Sequence, residues 1–172
     1  KAATLAIADH VWPVYLRFGR PKVATFIPEN QAFIIGKALL LNEGTDVSIF
    51  ATGHMVWKAI EAGQVLASKG ISAEIINIHT IKPLDEEAVL ASVAKTKCVV
   101  TAEEHQLAGG LGESIAQLLA RKTPAPIEFV AVNDSFGESG TPDQLMTKYG
   151  LDAINIIEAV EKVIARVDKQ FV

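Results

Sequence analysis

Residues 47–78, VSIFATGHMVWKAIEAGQVLASKGISAEIINI, hold the pattern on which the fold turns. Asp46–Ala51 and Ala73–Ile78 are short apolar runs of strand length, rich in β-branched residues. Between them, Val56–Ser68 spaces its apolar residues as a helix does, and Gly70 sits just past its end. A strand, a helix and a second strand in this order imply a parallel pair with the helix crossing over one face.

The rhythm continues to the end of the chain. Asp85–Ala94 reads as a helix, with Pro83 before it and acids in its first turn, where they complement the helix dipole. Cys98–Ala102 reads as a strand, Leu111–Arg121 as a helix and Ile127–Val132 as a strand flanked by prolines. Pro142–Lys148 is a short helix and Ile154–Val167 a longer amphipathic one. Upstream, Lys37–Leu41 and Asp46–Ala51 are joined by NEGT, which signals an antiparallel hairpin. The expectation is an α/β domain of three layers, helices on both faces of a mostly parallel sheet of about five strands, with one strand antiparallel.

The first residues are different. Residues 3–10 read as the end of a helix and Pro13–Phe18 as a strand broken by Gly19 and Pro21. Residues 21–36 carry few helical signals and include Pro28, so they read as a linker. The chain starts at Lys1 inside a helical pattern without an initiator Met, and is expected to belong to a longer polypeptide.

Composition narrows the function. Of 172 residues, 49% are hydrophobic and 6% aromatic, which suits an aliphatic core and excludes disorder. A net charge of −4 argues against nucleic acid as the main partner. Cys98 is the single cysteine, so an internal disulfide framework and a cysteine-rich metal site are both excluded. No apolar run approaches the length of a membrane span, and a cytoplasmic setting is expected.

Parallel sheets place ligand sites beyond the carboxyl ends of their strands. Here those ends carry TGH (52–54), HTIKPLD (79–85), EEHQLAGG (103–110) and NDSFGESG (133–140). GGLGES at 109–114 could aim backbone N–H groups at a phosphate, but it matches neither GxGxxG nor a Walker motif, and acids precede it. It reads better as a tight turn that lets a helix approach the sheet. Glu103, Glu104 and His105 could form an acid–base set, yet no nucleophile motif stands nearby, and helix capping or an interface is the commoner use. His54 and His79 sit on other strand-end loops, without spacings that announce a metal site. Arg17, Arg20 and Lys22 form a basic cluster that suits either a phosphate or plain solvation.

Four stretches together carry more. PVYLRFGRPKV (13–23), VSIFATGHMVWKAIEAGQVLASKGISAEIINIHTIKPLD (47–85), VVTAEEHQLAGGLGESIAQLL (99–119) and GTPDQLMTKYGLD (140–152) resemble, in order and spacing, the C-terminal part of transketolases. The rivals are 1-deoxyxylulose-5-phosphate synthase, the beta subunits of 2-oxo acid dehydrogenases, and a binding module that reuses the fold. The resemblance implies a division at residues 1–22 (tail of the middle, pyrimidine-binding domain), 23–36 (linker) and 37–172 (C-terminal domain). It implies thiamine diphosphate and Mg2+ or Ca2+ in the full enzyme, none of them bound by this chain alone. It implies two-carbon ketol transfer between sugar phosphates in the pentose phosphate pathway. Partners would be the missing N-terminal and middle domains, in the same polypeptide or a separate subunit, and a second copy in a homodimer. Arg20 matches the arginine that binds substrate phosphate in the family, and Arg17 matches no family role. No catalytic, cofactor-binding or metal residue is expected here. Glu103, Glu104 and His105 are expected to bond across a domain or subunit boundary, which makes residues 100–116 a joint.

Overall fold

The computed structural model describes residues 1–19 and 23–170. Five strands form one sheet in the order β1-β3-β2-β4-β5. They are β1 (Leu39–Asn42), β2 (Val47–Ala51), β3 (Ala73–Asn77), β4 (Val99–Gln106) and β5 (Ile127–Val132). β2 runs parallel to β3 and to β4, and β4 runs parallel to β5; β1 is the antiparallel strand.

The helices are α1 (Ala2–Ala8), α2 (Met55–Ser68), α3 (Glu86–Thr96), α4 (Leu111–Lys122), α5 (Pro142–Lys148) and α6 (Ala153–Gln170). Side chains alternate across β2, and this alternation builds two cores. Val47, Ile49 and Ala51 meet Val56, Ala59, Leu66, Ile156 and Val160 of α2 and α6 on one face. Phe50 meets Val89, Val93, Ile115 and Leu118 of α3 and α4 on the other. This is the expected three-layer fold.

Two local expectations are corrected. β1 and β2 do not form a hairpin, because β3 lies between them and β1 pairs with β3, Leu39 opposite Asn77. The NEGT segment instead crosses the start of β3: the N–H groups of Thr45 and Asp46 both donate to the Ser72 carbonyl. A Cβ on Gly44 would stand 2.2 Å from the backbone of Ala73, so the crossing needs a glycine. Pro13–Phe18 is not a strand. Pro13 has no N–H for a ladder, and the run lies exposed beside the domain, with Tyr15 87% and Phe18 83% accessible.

Residues 23–38 run over the domain without helix or strand. Phe26 stacks on Trp57 of α2 with ring centroids 5.8 Å apart, and Phe33 lies 4.3 Å from the His79 ring. At the end of this stretch the Ala38 N–H donates to Asp85 at 2.9 Å. The same carboxylate caps α3 through the Ala88 N–H at 3.2 Å.

Candidate functional site

The carboxyl ends of β2, β4 and β5 border an open cleft of about 820 Å3, with Arg17, His54, Glu104, His105 and Tyr149 among its walls. β4 is longer than its apolar run suggests. It continues through Gln106, so the two acids and the histidine stand on the strand itself. Strand alternation then separates them: Glu103 and His105 share one side, and Glu104 takes the other.

Glu103 is 1% exposed. Its carboxylate accepts hydrogen bonds from the N–H groups of Leu111 (2.9 Å) and Gly112 (2.8 Å), which open α4. Nδ1 of His105 lies 3.4 Å from the same carboxylate. Burial works against its charge; the bond to His105 and the two helix amides outweigh burial and hold its pKa below the usual carboxylate value. Gly110 permits this contact, since a Cβ there would meet Oε2 of Glu103 at 2.1 Å.

The amides that could have cradled a phosphate are therefore taken. Glu103 holds two, and Glu113 accepts from the Gly109 N–H at 2.8 Å. The GGLGES turn is a packing joint, closed by an internal carboxylate. Nε2 of His105 is buried and lacks a hydrogen-bond partner among the described residues.

On the other side of β4, Glu104 receives Nδ1 of His54 at 2.8 Å and a guanidinium nitrogen of Arg17 at 3.7 Å. His54 is the residue before α2, so a helix start and a strand end fix its position. Its ring abuts Gly19: a Cβ there would fall 2.5 Å from Nε2. His79 is not among the residues that line this cleft. Its Nδ1 lies 2.9 Å from the Thr80 hydroxyl, and burial lowers its pKa. Among the described residues, no three or more His, Cys, Asp or Glu side chains group as a metal site. Arg20 and Lys22 lie outside the described residues.

The sequence offers the three consecutive residues of β4, and His54 and Arg17 apart from them, but not the pairing of either with Glu104. Arg17, which matches no family role, reaches Glu104. The TGH turn at 52–54 was the one available sign of His54, and nothing in the sequence linked it to residue 104.

A family profile, Transketolase, C-terminal domain, matches residues 36–156. The chain belongs to the transketolase family. It is 48% identical, over 96% of its length, to the 6-deoxy-6-sulfo-D-fructose transketolase subunit SqwH of Clostridium sp. (strain MSTE9), covering 52% of that protein. It is 37% identical to the 1-deoxy-D-xylulose-5-phosphate synthase of Caldanaerobacter subterraneus subsp. tengcongensis, across 87% of this chain and 24% of that one. Among solved structures it resembles one described as "Split gene transketolase, inactive beta4 tetramer", with a TM-score of 0.93 and 41% identity, covering 95% of this chain and 54% of the other. The chain spans about half the length of its nearer curated relatives.

Proposed function

We propose that this chain is the C-terminal portion of a thiamine diphosphate-dependent transketolase that moves a two-carbon ketol unit between sugar phosphates. The observation that carries the reading is the likeness to a split-gene transketolase over 95% of the chain. Transketolase subunits and sections among the relatives support it. Residues 1–22 are the tail of the preceding domain, 23–36 the linker and 37–172 the C-terminal domain. The working enzyme is a homodimer completed by the N-terminal and middle domains, acting in the pentose phosphate pathway in the cytoplasm. Among the described residues no helix is long and apolar enough to cross a membrane.

The opening turn of α4 does not fit the cofactor's diphosphate. The helix amides that would receive it bind Glu103, and Glu104 adds negative charge beside the cleft. Thiamine diphosphate, with Mg2+ or Ca2+, belongs to the rest of the enzyme in this reading, and no chemical step is assigned to this chain. Its own share is assembly and substrate placement. Arg20 binds the substrate phosphate through charge-assisted hydrogen bonds. Glu104 and His105 stand on the wall of the open cleft, which in this reading faces the neighbouring domains. Glu103, bonded within the domain, sets the shape of that boundary.

The test is calorimetric titration of thiamine diphosphate with Mg2+ into this chain and into the assembled protein. Binding by the assembly and none by a folded chain alone is expected. Tight binding by the chain alone overturns the reading. A second reading, the C-terminal part of a 1-deoxyxylulose-5-phosphate synthase, is favoured by relatives at 37% and 39% identity. It predicts product from pyruvate and glyceraldehyde 3-phosphate.

A further inference from the structure

Arg17 and Gly19 line one part of the cleft at the carboxyl ends of the strands, and Ser135 and Gly137 line another. Phe18 stands between the first two in sequence, and Phe136 between the second two. Both rings are left in solvent, Phe18 being 83% and Phe136 97% accessible. Single exposed apolar residues are ordinary on a protein surface. Two observations set Phe136 apart.

The first is that its loop is fastened. Gln106 of β4 donates to the Ser135 carbonyl at 2.8 Å, and the Tyr149 hydroxyl donates to the Phe136 carbonyl at 2.8 Å. Lys148 pairs with Glu138 at 2.5 Å, and Thr141 closes the loop by capping α5. The backbone on both sides of the ring is therefore held by β4 and by α5 with its C-terminal cap, while the ring itself points away from any packing. A side chain presented from a fixed loop loses less freedom on docking than one on a mobile loop. The second observation is what else meets this cleft. Residues 11–18 are exposed in the same way, Tyr15 being 87% and Trp12 75% accessible, and they end at the contact of Arg17 with Glu104 on the cleft wall. The chain covers only 52% and 54% of two of its relatives, each of which carries a further body of similar size.

We propose that Phe136 is a docking anchor whose ring enters an apolar pocket on the preceding domain, the domain to which residues 11–18 belong. The segment that joins that domain to this one ends on the same cleft as Phe136, so the body that covers Tyr15 and Phe18 also lies against the loop at 133–140. The recognising chemistry is apolar: the ring carries no polar atom, and its burial removes a large surface from water. This inference rests on the reading of residues 1–22 as the tail of a preceding domain.

The experiment is hydroxyl-radical labelling of the assembled protein, read residue by residue by mass spectrometry, with the buried Phe50 as the protected reference. Phe136, Tyr15 and Phe18 are all expected to label as slowly as Phe50. If Tyr15 and Phe18 are protected and Phe136 is not, the anchor fails and the reading of residues 1–22 stands. If all three label as solvated rings, that reading fails and the anchor fails with it. Phe136→p-benzoylphenylalanine then identifies the occupant. A photo-crosslink within one polypeptide, to residues ahead of this chain, is expected; an intermolecular product, to a second copy or to another subunit, overturns the choice of occupant. Phe136→Ala is expected to raise the labelling of Tyr15 and Phe18 about tenfold, the effect of truncating one interface residue of ordinary weight, and Phe136→Leu to restore most of the protection. Phe50 should label as before in both variants, because the Phe136 ring supports nothing inside its own domain. Unchanged labelling of Tyr15 and Phe18 in Phe136→Ala would overturn the anchor.

Discussion

The Gly112 N–H donates to Oε1 of Glu103 at 2.8 Å, so a buried carboxylate from β4 sits on the opening turn of α4. An acid in this place joins the sheet to the helix and satisfies amides that a helix start leaves without partners. Glu103→Gln keeps the shape but replaces one acceptor with a donor that faces an N–H. We expect a loss of about 2–4 kcal/mol, because a buried amide is left unpaired. Thermal melts at neutral pH check it.

The same carboxyl makes a prediction for pH. Its folded pKa lies below the ordinary 4.5, so its contribution is complete above that value. It is lost as pH falls below 4.5 through the folded pKa. The stability gap between the parent and Glu103→Gln should narrow in that window. A gap that widens on acidification would contradict the assignment. Asp85 titrates in the same sense: burial opposes its charge, but the Ala38 and Ala88 amides and Lys37 outweigh it and lower its pKa.

Gly110→Ala should be costly for a steric reason alone. Its backbone, at φ −100° and ψ −160°, is open to any residue, yet a Cβ would stand 2.1 Å from Glu103. We expect about 1–3 kcal/mol of destabilisation from overpacking. Gly70 provides the contrast. It has φ +80° and nothing within 4 Å of a built Cβ, so Gly70→Ala carries only left-handed strain of about 1–2 kcal/mol. Repeating both in the Glu103→Gln background separates the mechanisms, since coupling is expected for Gly110 and additivity for Gly70.

Beneath α3 the Ser48 hydroxyl meets the hydroxyls of Ser92 and Thr96, and Ser92 donates to Glu74 at 2.9 Å. Lys95 completes the set, 2.9 Å from the other Glu74 oxygen. Ser92→Ala leaves a buried carboxylate oxygen without its donor and should cost about 1–3 kcal/mol. A double-mutant cycle of Ser48→Ala with Ser92→Ala should show coupling above about 0.5 kcal/mol. Strict additivity would contradict a connected network.

His105→Ala tests the boundary. The His105 side chain lines the open cleft and is 23% exposed, and the boundary reading has it meet a neighbouring domain or subunit there. Its loss should weaken assembly about tenfold by sedimentation, consistent with one buried hydrogen bond. An unchanged association constant together with an unchanged melting temperature would remove His105 from the interface.

The alternation of strands and helices was legible because each element carries its own period, and Val47, Phe50 and Ile75 face the layers that this period demands. The place of β1 was not. Leu39 pairs with Asn77, a partner far along the chain, whereas the NEGT signal reports only local turn chemistry. PVYLRF has strand composition, but composition supplies no neighbouring strand. At the site, the spacing of Glu103, Glu104 and His105 was visible, and so was helix capping as one use of it; which of the three caps α4 was not. Those roles depend on the extension of β4 past its apolar run, which sends successive side chains to opposite sides. His54 meets Glu104 only because β2 and β4 are adjacent in the sheet.

The central claim, that this chain belongs to an enzyme of ketol transfer, is tested most directly by a two-substrate assay. The assembled protein, with thiamine diphosphate and Mg2+, receives either xylulose 5-phosphate with ribose 5-phosphate or pyruvate with glyceraldehyde 3-phosphate. Sedoheptulose 7-phosphate from the first pair, and no product from the second, is the predicted result. Product from the second pair alone would contradict it and identify a deoxyxylulose-phosphate synthase instead.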